Sequence, residues 1–324
     1  MKNNLEKENF IIQSKNLHLR CIEFKNLQII KTFGKDCIKY LQSQFSCNIE
    51  YFKNLKYKIC THCNNSGKLI TDLSIILFKN SVFYILRKEL FETHIKELKK
   101  YSIFSDIKFE KENKQYIFGL VGKKSKIIIK NFFNIFHFRK KIIKKRENFL
   151  VLFKKPKERF LLILERKTSL KFKEFLSSKK IILSKEVQWD SLNIECGYPI
   201  IKKNTSIFFS PHELNFSKLG SISYKKGCYL GQEQISKIRH KKIFKKSLYW
   251  LYGYSKILPN PKDILQVQVK KGIWKNCGHV LFSCKKNKKI TWIQAVLKNI
   301  SYKKKFIYFP KEKNSIFFIK KKFS

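Results

Sequence analysis

Lys225-Lys226-Gly227-Cys228-Tyr229-Leu230-Gly231-Gln232-Glu233 is the stretch of this 324-residue chain that is densest in chemically active groups. It combines a thiol, an amide, a carboxylate and two ammonium groups with two glycines four residues apart. Glycines so placed indicate a backbone that turns sharply or approaches another segment closely. Residues 233–238 can begin a helix, and positive charge before a helix start favours a thiolate. The pattern fits either a reactive turn or a glycine-rich turn whose cysteine only packs.

Length and composition indicate a globular protein of two or three domains, since 43% of the 324 residues are hydrophobic. No apolar run approaches the roughly 20 residues that a membrane span needs. The start, Met1-Lys2-Asn3-Asn4-Leu5-Glu6, lacks the apolar core of a secretory signal. We therefore expect a cytoplasmic protein without membrane contact.

The formal charge of +48 points to nucleic acid less strongly than its size implies. Only seven of the 71 basic residues are arginine, the residue whose planar guanidinium suits phosphates and bases best. Lysine is accompanied throughout by Ile, Asn and Phe, whose codons are also A/T-rich, so base composition explains the excess. The sequence shows no clustering of basic with aromatic residues. We expect weak, salt-sensitive contact with RNA.

The nine cysteines are an odd number in a long chain without a secretion signal, which predicts reduced thiols. Cys60-Thr61-His62-Cys63 has the spacing of half a metal site, but no second half follows at a suitable distance. We interpret this spacing as incidental and predict no metal site.

Strand and helix patterns alternate through the first 240 residues and predict an α+β fold. Strands are predicted over residues 17–24, 55–63, 69–78, 82–86, 117–121, 149–153 and 160–164, with a hairpin turn at 64–68. Helices are predicted near 34–45, over 88–101, 125–133 and 168–176, and from Ser184 to the stop signals Gly197 and Pro199. No glycine-rich phosphate loop is present, which argues against a doubly wound nucleotide-binding sheet.

Short strands with turn signals and no helix follow residue 247. They are predicted over residues 248–252, 264–269, 273–274, 279–282, 290–297 and 306–309. This pattern is typical of a small antiparallel barrel or sandwich. We expect an α+β body over 1–240, made of two subdomains, and a C-terminal β-barrel over 247–324.

Residues 226–233 match every fixed position of the signature K-G-C-Y-x-G-Q-E, and on this evidence the chain resembles the YgfZ family of folate-binding, tRNA-modifying proteins. That family is related to the aminomethyltransferase (T-protein) of glycine cleavage. Residues 192–199 resemble a second family segment, L-x-I-E-A-G-x-P, and weaker matches cover most of the chain. The signature positions are Lys226, Gly227, Cys228, Tyr229, Gly231, Gln232 and Glu233.

The resemblance implies a multi-domain, aminomethyltransferase-like α+β body around a central cleft that holds tetrahydrofolate or a one-carbon derivative, with an antiparallel C-terminal barrel. Trp189 matches a folate-site tryptophan, and an indole suits stacking on a flat pterin or benzoate ring. Glu195 matches the acid that pairs with the amino-pyrimidine edge of the pterin in the transferases. Leu27 stands where the family has a second tryptophan and offers an apolar wall instead.

The resemblance also implies an accessory, folate-binding role in tRNA modification, in support of iron–sulfur enzymes that thiolate tRNA, rather than stand-alone catalysis. Cys228 is then the key thiol, facing or flanking the cleft, with Lys226 favouring its thiolate. An alternative is a tetrahydrofolate-dependent one-carbon (aminomethyl-type) transferase that uses Asp72. A third is a plain RNA-binding module driven by charge. We expect a monomer.

Overall fold

Three β-sheets organise the chain in a computed structural model, which describes residues 10–50, 56–78, 81–240, 245–270, 272–299 and 306–323. The body strands are β1 (Arg20–Phe24), β2 (Leu27–Phe33), β3 (Lys56–Cys63), β4 (Leu69–Phe78), β5 (Ser81–Arg87), β6 (Lys108–Glu112), β7 (Gln115–Val121), β8 (Ile142–Lys145), β9 (Asn148–Phe153), β10 (Arg159–Glu165) and β11 (Ile182–Ser184). The helices are α1 (Cys37–Gln44), α2 (Phe91–Lys99), α3 (Ser125–Phe133), α4 (Arg166–Ser178), α5 (Glu186–Cys196) and α6 (Gln232–His240).

The two body sheets have strand orders β3-β4-β5-β2-β6 and β11-β1-β7-β10-β9-β8. Within the described residues every pairing in them is antiparallel except β1 with β11. Antiparallel neighbours can be joined by short connections, as between β3 and β4, β4 and β5, and β8 and β9, while helices connect β2 to β3, β5 to β6, β7 to β8 and β10 to β11. The predicted α+β character of the body is present in the structure.

The third sheet is a closed barrel in the order β12-β15-β14-β13-β16-β17. Its strands are β12 (Lys246–Tyr254), β13 (Ile264–Lys270), β14 (Ile273–Lys285), β15 (Ile290–Lys298), β16 (Ile307–Tyr308) and β17 (Ile316–Lys322). Two predicted strands, 273–274 and 279–282, form one continuous β14 whose pairing shifts register at bulges. The last strand, β17, was not predicted, because three lysines end a segment that exposes most of its side chains.

The predicted hairpin turn at 64–68 joins β3 to β4. The Asn64 carbonyl accepts a hydrogen bond from the Gly67 N–H (2.9 Å), and the Asn64 side chain accepts one from the Lys68 N–H (2.9 Å). Gly67 has φ +69°, a conformation that glycine adopts without strain. The turn prediction is confirmed, and the hairpin proves important for the loop at 225–233.

Helix α5 runs through the main apolar core, with eight of its eleven residues buried. A helix buried on all sides lacks the one-faced apolar pattern of a surface helix, so its polar residues must find partners inside the protein. Gly197, at φ +74°, ends the helix as predicted, with its N–H bonded to the Ile194 carbonyl. A methyl group added there would lie 2.3 Å from the Phe323 ring, so the barrel's last residues pack on this turn.

Several boundaries differ from the predictions. The helix expected from Ser184 begins at Glu186, because residues 182–184 pair in parallel with β1. Strands β2, β6, β8 and β11 were not predicted, and the expected helix at 88–101 is a 3₁₀ turn followed by Phe91–Lys99. Residue 55, where the strand predicted over 55–63 begins, and residues 241–244, between the predicted body and the predicted barrel, lie outside the described residues. In the part of the chain that is described, no helix is long and apolar enough to cross a membrane.

Candidate functional site

A narrow cavity of about 80 Å³ lies between α5 and the two body sheets. Aromatic and aliphatic side chains form its walls, and charged and hydroxyl groups form its floor. The wall residues are Phe24, Leu27, Phe153 and Trp189, and the floor residues include Asp72, Arg87, Arg159, Asp190 and Tyr198. The structure therefore brings together Trp189, Leu27 and Asp72 from three separate parts of the sequence.

Trp189 is a fixed wall of this cavity. Phe24 and Phe153 meet its ring edge-on, with centroids at 5.4 and 5.9 Å, and the Arg159 guanidinium lies 4.3 Å from the ring centroid. A methyl group at Gly119 would lie 2.8 Å from the indole Cε3, so the bare backbone there makes room for the ring. The indole is held by packing on several sides, and a ligand that stacks on it must compete with Arg159.

Two polar pairs on the cavity floor bind each other. The Arg87 Nη2 donates to Asp190 Oδ1 at 2.5 Å, and the Tyr198 hydroxyl donates to Asp72 Oδ2 at 2.6 Å. Burial disfavours the charged form of Arg87, but Asp190 outweighs it and raises the arginine's pKa. Burial raises the pKa of Asp72, against the lowering effect of Tyr198 and of Arg87.

Arg159 is buried without an ion-pair partner among the described residues. Its Nη2 donates to Asn193 Oδ1 at 2.8 Å and its Nη1 to the Trp189 carbonyl at 3.3 Å, both on α5. Burial lowers its pKa, although the group stays cationic at neutral pH. The arginine ties β10 to the helix and gives the cavity a positive group beside the indole.

Glu195 does not line this cavity. Its two carboxylate oxygens accept hydrogen bonds from the Ser14 N–H (2.8 Å) and the Ser14 hydroxyl (2.7 Å). Burial raises the pKa of Glu195, and the two bonds from Ser14 oppose that rise. Trp189 and Glu195 are six residues apart on α5, which places them on different sides of a helix with 3.6 residues per turn.

The signature loop, residues 225–233, is anchored by its lysine. Lys226 Nζ donates to the carbonyls of Gln42, Phe45 (2.6 Å) and Cys47 (3.0 Å), at the C-terminal end of α1 and just beyond it. Burial lowers the pKa of Lys226 to about 8. A cation there satisfies carbonyls that the helix leaves without partners. The Lys226 ammonium therefore binds main-chain carbonyls. These contacts do not show the predicted role of Lys226, which is to favour the Cys228 thiolate.

The other signature residues mostly brace the same loop. Tyr229 is buried, and its N–H donates to Gln232 Oε1 at 3.0 Å. Gly231 has φ +79°, and a methyl group there would lie 2.4 Å from the Asn64 carbonyl oxygen in the β3–β4 turn. Glu233 is exposed and pairs with a lysine one turn later on α6.

Cys228 and its neighbour Gly227 are the two signature residues that are exposed and make no bracing contact within the described ranges. All nine cysteines lie in the described ranges: Cys228 is exposed, Cys196 is half-buried and the other seven are buried. A methyl group at the neighbouring Gly227 would meet nothing within 4 Å. No residue of the signature loop lines the Trp189 cavity. The structure presents the thiol outward and keeps it apart from the cavity.

Sequence reasoning missed most of the cavity floor. Arg87 and Asp190 are 103 residues apart in sequence, and Arg159 and Asn193 are 34 apart. Each residue alone looks like an ordinary polar residue at a strand end or within a helix. The only local signal was the adjacency of Asp190 to Trp189, since neighbours on a buried helix share its surroundings.

A family model and two relatives point to the same family. Residues 244–306 match the family model described as the β-barrel domain of YgfZ. The tRNA-modifying protein YgfZ of Buchnera aphidicola subsp. Baizongia pistaciae is 36% identical over 94% of this chain and 96% of its own length. The protein of the same name from Blochmanniella pennsylvanica is 34% identical over 88% of this chain and 89% of its own.

The fold resembles a solved structure of far lower sequence similarity. Aminomethyltransferase T of the glycine cleavage system from Bartonella henselae superposes with a TM-score of 0.73 at 10% identity, covering 98% of this chain and 87% of the other. The predicted fold, an aminomethyltransferase-like α+β body with a C-terminal antiparallel barrel, is confirmed. With its curated relatives aligned over nearly their whole length, the chain belongs to the YgfZ family of tRNA-modifying proteins.

Proposed function

We propose that the protein supports tRNA modification by binding a reduced folate in the Trp189 cavity and by presenting Cys228 as a functional thiol. The observation that carries the proposal is that the residues of the signature loop have two different roles. Lys226, Tyr229, Gly231 and Gln232 all fix the backbone, and Cys228 is left exposed. A braced loop around an unused thiol is expected where the thiol reacts or binds.

The cavity residues suit a pterin in their chemistry. Flat aromatic walls favour a planar ring, and the carboxylates of Asp72 and Asp190 can accept hydrogen bonds from its N–H groups. At about 80 Å³ the cavity is smaller than the roughly 300–1,000 Å³ of typical small-molecule sites. Binding of tetrahydrofolate or a one-carbon derivative therefore requires the walls to separate, and Phe24, Phe153 and Arg159 are the side chains that border the indole.

Glu195 joins this site only by exchanging partners. Ser14 offers it two donors side by side, an N–H and an O–H, each on a different carboxylate oxygen. The amino-pyrimidine edge of a pterin offers the same two-donor pattern. We propose that the ligand takes the place of Ser14, so that residues near the start of the described chain move when folate binds.

Cys228 then acts outside the cavity. A thiolate can bind iron or carry sulfur, but one cysteine cannot hold a cluster alone, so a partner protein supplies the remaining ligands. Iron–sulfur enzymes that thiolate tRNA fit this requirement. The protein is then an accessory factor, acting as a monomer on its partners.

The test is the thiolated-nucleoside content of tRNA from cells whose only copy of the gene carries Cys228→Ala, measured by mass spectrometry. Loss of thiolation is expected while the variant protein melts at the wild-type temperature. Lys225→Gln, which changes an exposed residue beside the signature, is the matched control and should leave thiolation normal. Normal thiolation in the Cys228→Ala strain would contradict the proposal.

A second candidate function, one-carbon transfer, is favoured by one observation. Asp72 lies in the same cavity as Trp189 and accepts a hydrogen bond from Tyr198, and burial raises its pKa. A carboxyl with a raised pKa can exchange a proton with a folate nitrogen. Formaldehyde release or transfer with tetrahydrofolate, in wild type and Asp72→Asn, decides it: activity lost in the variant supports a transferase, and no activity in either excludes this candidate.

A further inference from the structure

A notch of about 380 Å³ opens on the surface beside the signature loop. It is lined by Tyr224, Ser236, Arg239 and His240, the last three from α6. Tyr224 precedes Cys228 by four residues, which span at most about 14 Å even when fully extended. The notch and the exposed thiol therefore share one region of the surface.

An arginine and a tyrosine are stacked in this notch. The Arg239 guanidinium lies 3.8 Å from the centroid of the Tyr224 ring, and the ring of His212 lies nearly parallel to that tyrosine, at 19° and 6.4 Å. The three residues come from three separate segments of the chain. This is a cluster of basic and aromatic groups that the sequence did not reveal.

Hydrogen bonds fix the tyrosine in place. His212 Nε2 lies 2.9 Å from the Ile235 carbonyl, which can only accept, so Nε2 carries the proton. Burial lowers the pKa of His212, so in the neutral ring Nδ1 accepts from the Ser217 hydroxyl at 2.7 Å. The Tyr224 hydroxyl then donates to Ser217 Oγ at 3.3 Å. Because the ring is already ordered, a ligand loses little entropy in stacking here.

Arg239 differs from the lysines around it. Lys237, on the same helix, forms an ion pair with Glu233 at 2.5 Å, whereas Arg239 pairs with no carboxylate within the described ranges. Arginine is also scarce, seven of 71 basic residues, so the lysine-rich composition does not account for it. A planar guanidinium supported by a tyrosine is a platform on which nucleobases stack.

We propose that this notch binds a nucleotide of RNA, with the base stacked on the Arg239–Tyr224 pair and the strand running past Cys228. The choice of RNA rests on the proposed function in tRNA modification, and the site itself is independent of folate. RNA bound in the notch then lies next to the exposed sulfur of Cys228. Ser236 and His240 supply hydrogen-bonding groups at the rim of the notch.

The first test compares Arg239→Ala with Lys237→Ala in binding an end-labelled, unmodified tRNA transcript, followed by fluorescence anisotropy. Each variant removes one cation from α6, and each should lower the salt slope by about one. Loss of stacking should weaken binding by Arg239→Ala about tenfold beyond the effect of Lys237→Ala, since stacking contributes roughly 1–3 kcal/mol per base. Equal weakening by the two variants would overturn the proposal, because it would leave only non-specific charge.

The second test uses the thiol as a reporter. Transcript at a few times the wild-type Kd should slow alkylation of Cys228 by iodoacetamide several-fold in wild type and to a similar extent in Lys237→Ala, and only slightly in Arg239→Ala. Tyr224→Phe, which keeps the ring, should retain protection. Unslowed alkylation in wild type would place the RNA elsewhere and overturn the proposal. No folate is added in either test, so failure here is distinct from failure to bind tetrahydrofolate.

Discussion

The Trp189 cavity and the signature loop both bury charged side chains, but they use them in opposite ways. In the cavity, Arg87 and Asp190 bind each other, so a ligand gains polar partners only by breaking existing contacts. In the loop, the half-buried Lys226 binds main-chain carbonyls, and Cys228 is left exposed with no bracing contact. Under the proposed function, the cavity has to rearrange to admit its ligand, whereas the loop already presents its thiol.

Because of this difference, substitutions in the two regions should affect stability and ligand binding differently. Changes to the loop scaffold should lower the free energy of unfolding, while changes to its thiol should not. Changes to the cavity should affect ligand binding at least as much as stability, because its residues exchange partners on binding. The predictions below test this contrast, beginning with the largest effect.

Lys226→Met should lower the free energy of unfolding by about 3 kcal/mol. The change removes a cationic donor from three main-chain carbonyls and leaves them buried without it. Urea unfolding measures the effect, and Lys225→Met is the control, since this exposed neighbour should cost less than about 0.5 kcal/mol. Similar losses in both variants would mean that Lys226 is not the anchor.

Lowering the pH should destabilise the part of the fold to which the signature loop is anchored. His62 and His94 are buried with their Nδ1 atoms 3.0 Å apart, and the ring of Phe45, whose carbonyl binds Lys226, packs against both. Burial lowers the pKa of His62 to about 3, and that of His94 falls well below its ordinary value. The unfolded chain therefore takes up protons below about pH 6.5 that the folded chain does not, and stability is lost as pH falls.

The expected loss between pH 6.5 and 5 is about 2 kcal/mol per histidine, from roughly 1.4 kcal/mol per pH unit. Urea unfolding at several pH values measures it, and the exposed His137→Gln should keep the wild-type slope. Asp72 and Glu195 act in the opposite sense: burial raises the pKa of both carboxyl groups, so their protonation favours the folded state as pH falls. A slope unchanged by His62→Gln would contradict the assignment.

Two glycine substitutions compare the regions directly. Gly231→Ala should cost about 2 kcal/mol, since its methyl group would meet the fixed Asn64 carbonyl at 2.4 Å and its φ is +79°. Gly119→Ala should cost a similar amount, because the indole that its methyl group meets at 2.8 Å is itself held by packing. Only Gly119→Ala should weaken tetrahydrofolate binding. Weakened binding in Gly231→Ala alone would reverse the proposed roles of the two regions.

Ser14→Ala should have the smallest effect on stability and an opposite effect on binding. It removes the hydroxyl that donates to Glu195 at 2.7 Å, at a cost of about 1 kcal/mol. If Glu195 exchanges Ser14 for the ligand, the weaker competitor should raise tetrahydrofolate affinity several-fold. Calorimetry measures both the loss of stability and the gain in tetrahydrofolate affinity. The gain in affinity should be absent in Glu195→Gln. Unchanged affinity in Ser14→Ala would remove Glu195 from the site.

Local pattern was enough to predict much of the fold but little of the site. The 64–68 hairpin, the helix stop at Gly197 and the short-strand C-terminal region follow from turn chemistry and periodicity. Helix α5 shows why the site was harder: buried on every side, it has no apolar face that would tell which way Trp189 or Glu195 points. The family resemblance identified both residues as candidates. Only the tertiary structure shows that Trp189 lines the cavity and that Glu195 does not.

Clusters assembled from distant segments were invisible in the sequence. Arg87 meets Asp190 only because β5 ends beside α5, and Tyr224 meets Arg239 only because α6 folds back along the loop. The main-chain contacts of Lys226 were also not predicted, since the sequence shows only that it is close to Cys228 along the chain, whereas its side chain binds carbonyls at the end of α1. The direction in which a side chain points depends on the tertiary structure.

Calorimetric titration of the purified protein with tetrahydrofolate, under anaerobic reducing conditions, tests the central claim most directly. One saturable site is expected in wild type and equally in Cys228→Ala, because the thiol lies outside the cavity. Trp189→Leu, which removes the indole wall, should bind about tenfold more weakly, a difference of about 1.4 kcal/mol. Absence of binding in wild type, or undiminished affinity in Trp189→Leu, would contradict the assignment of this cavity to folate.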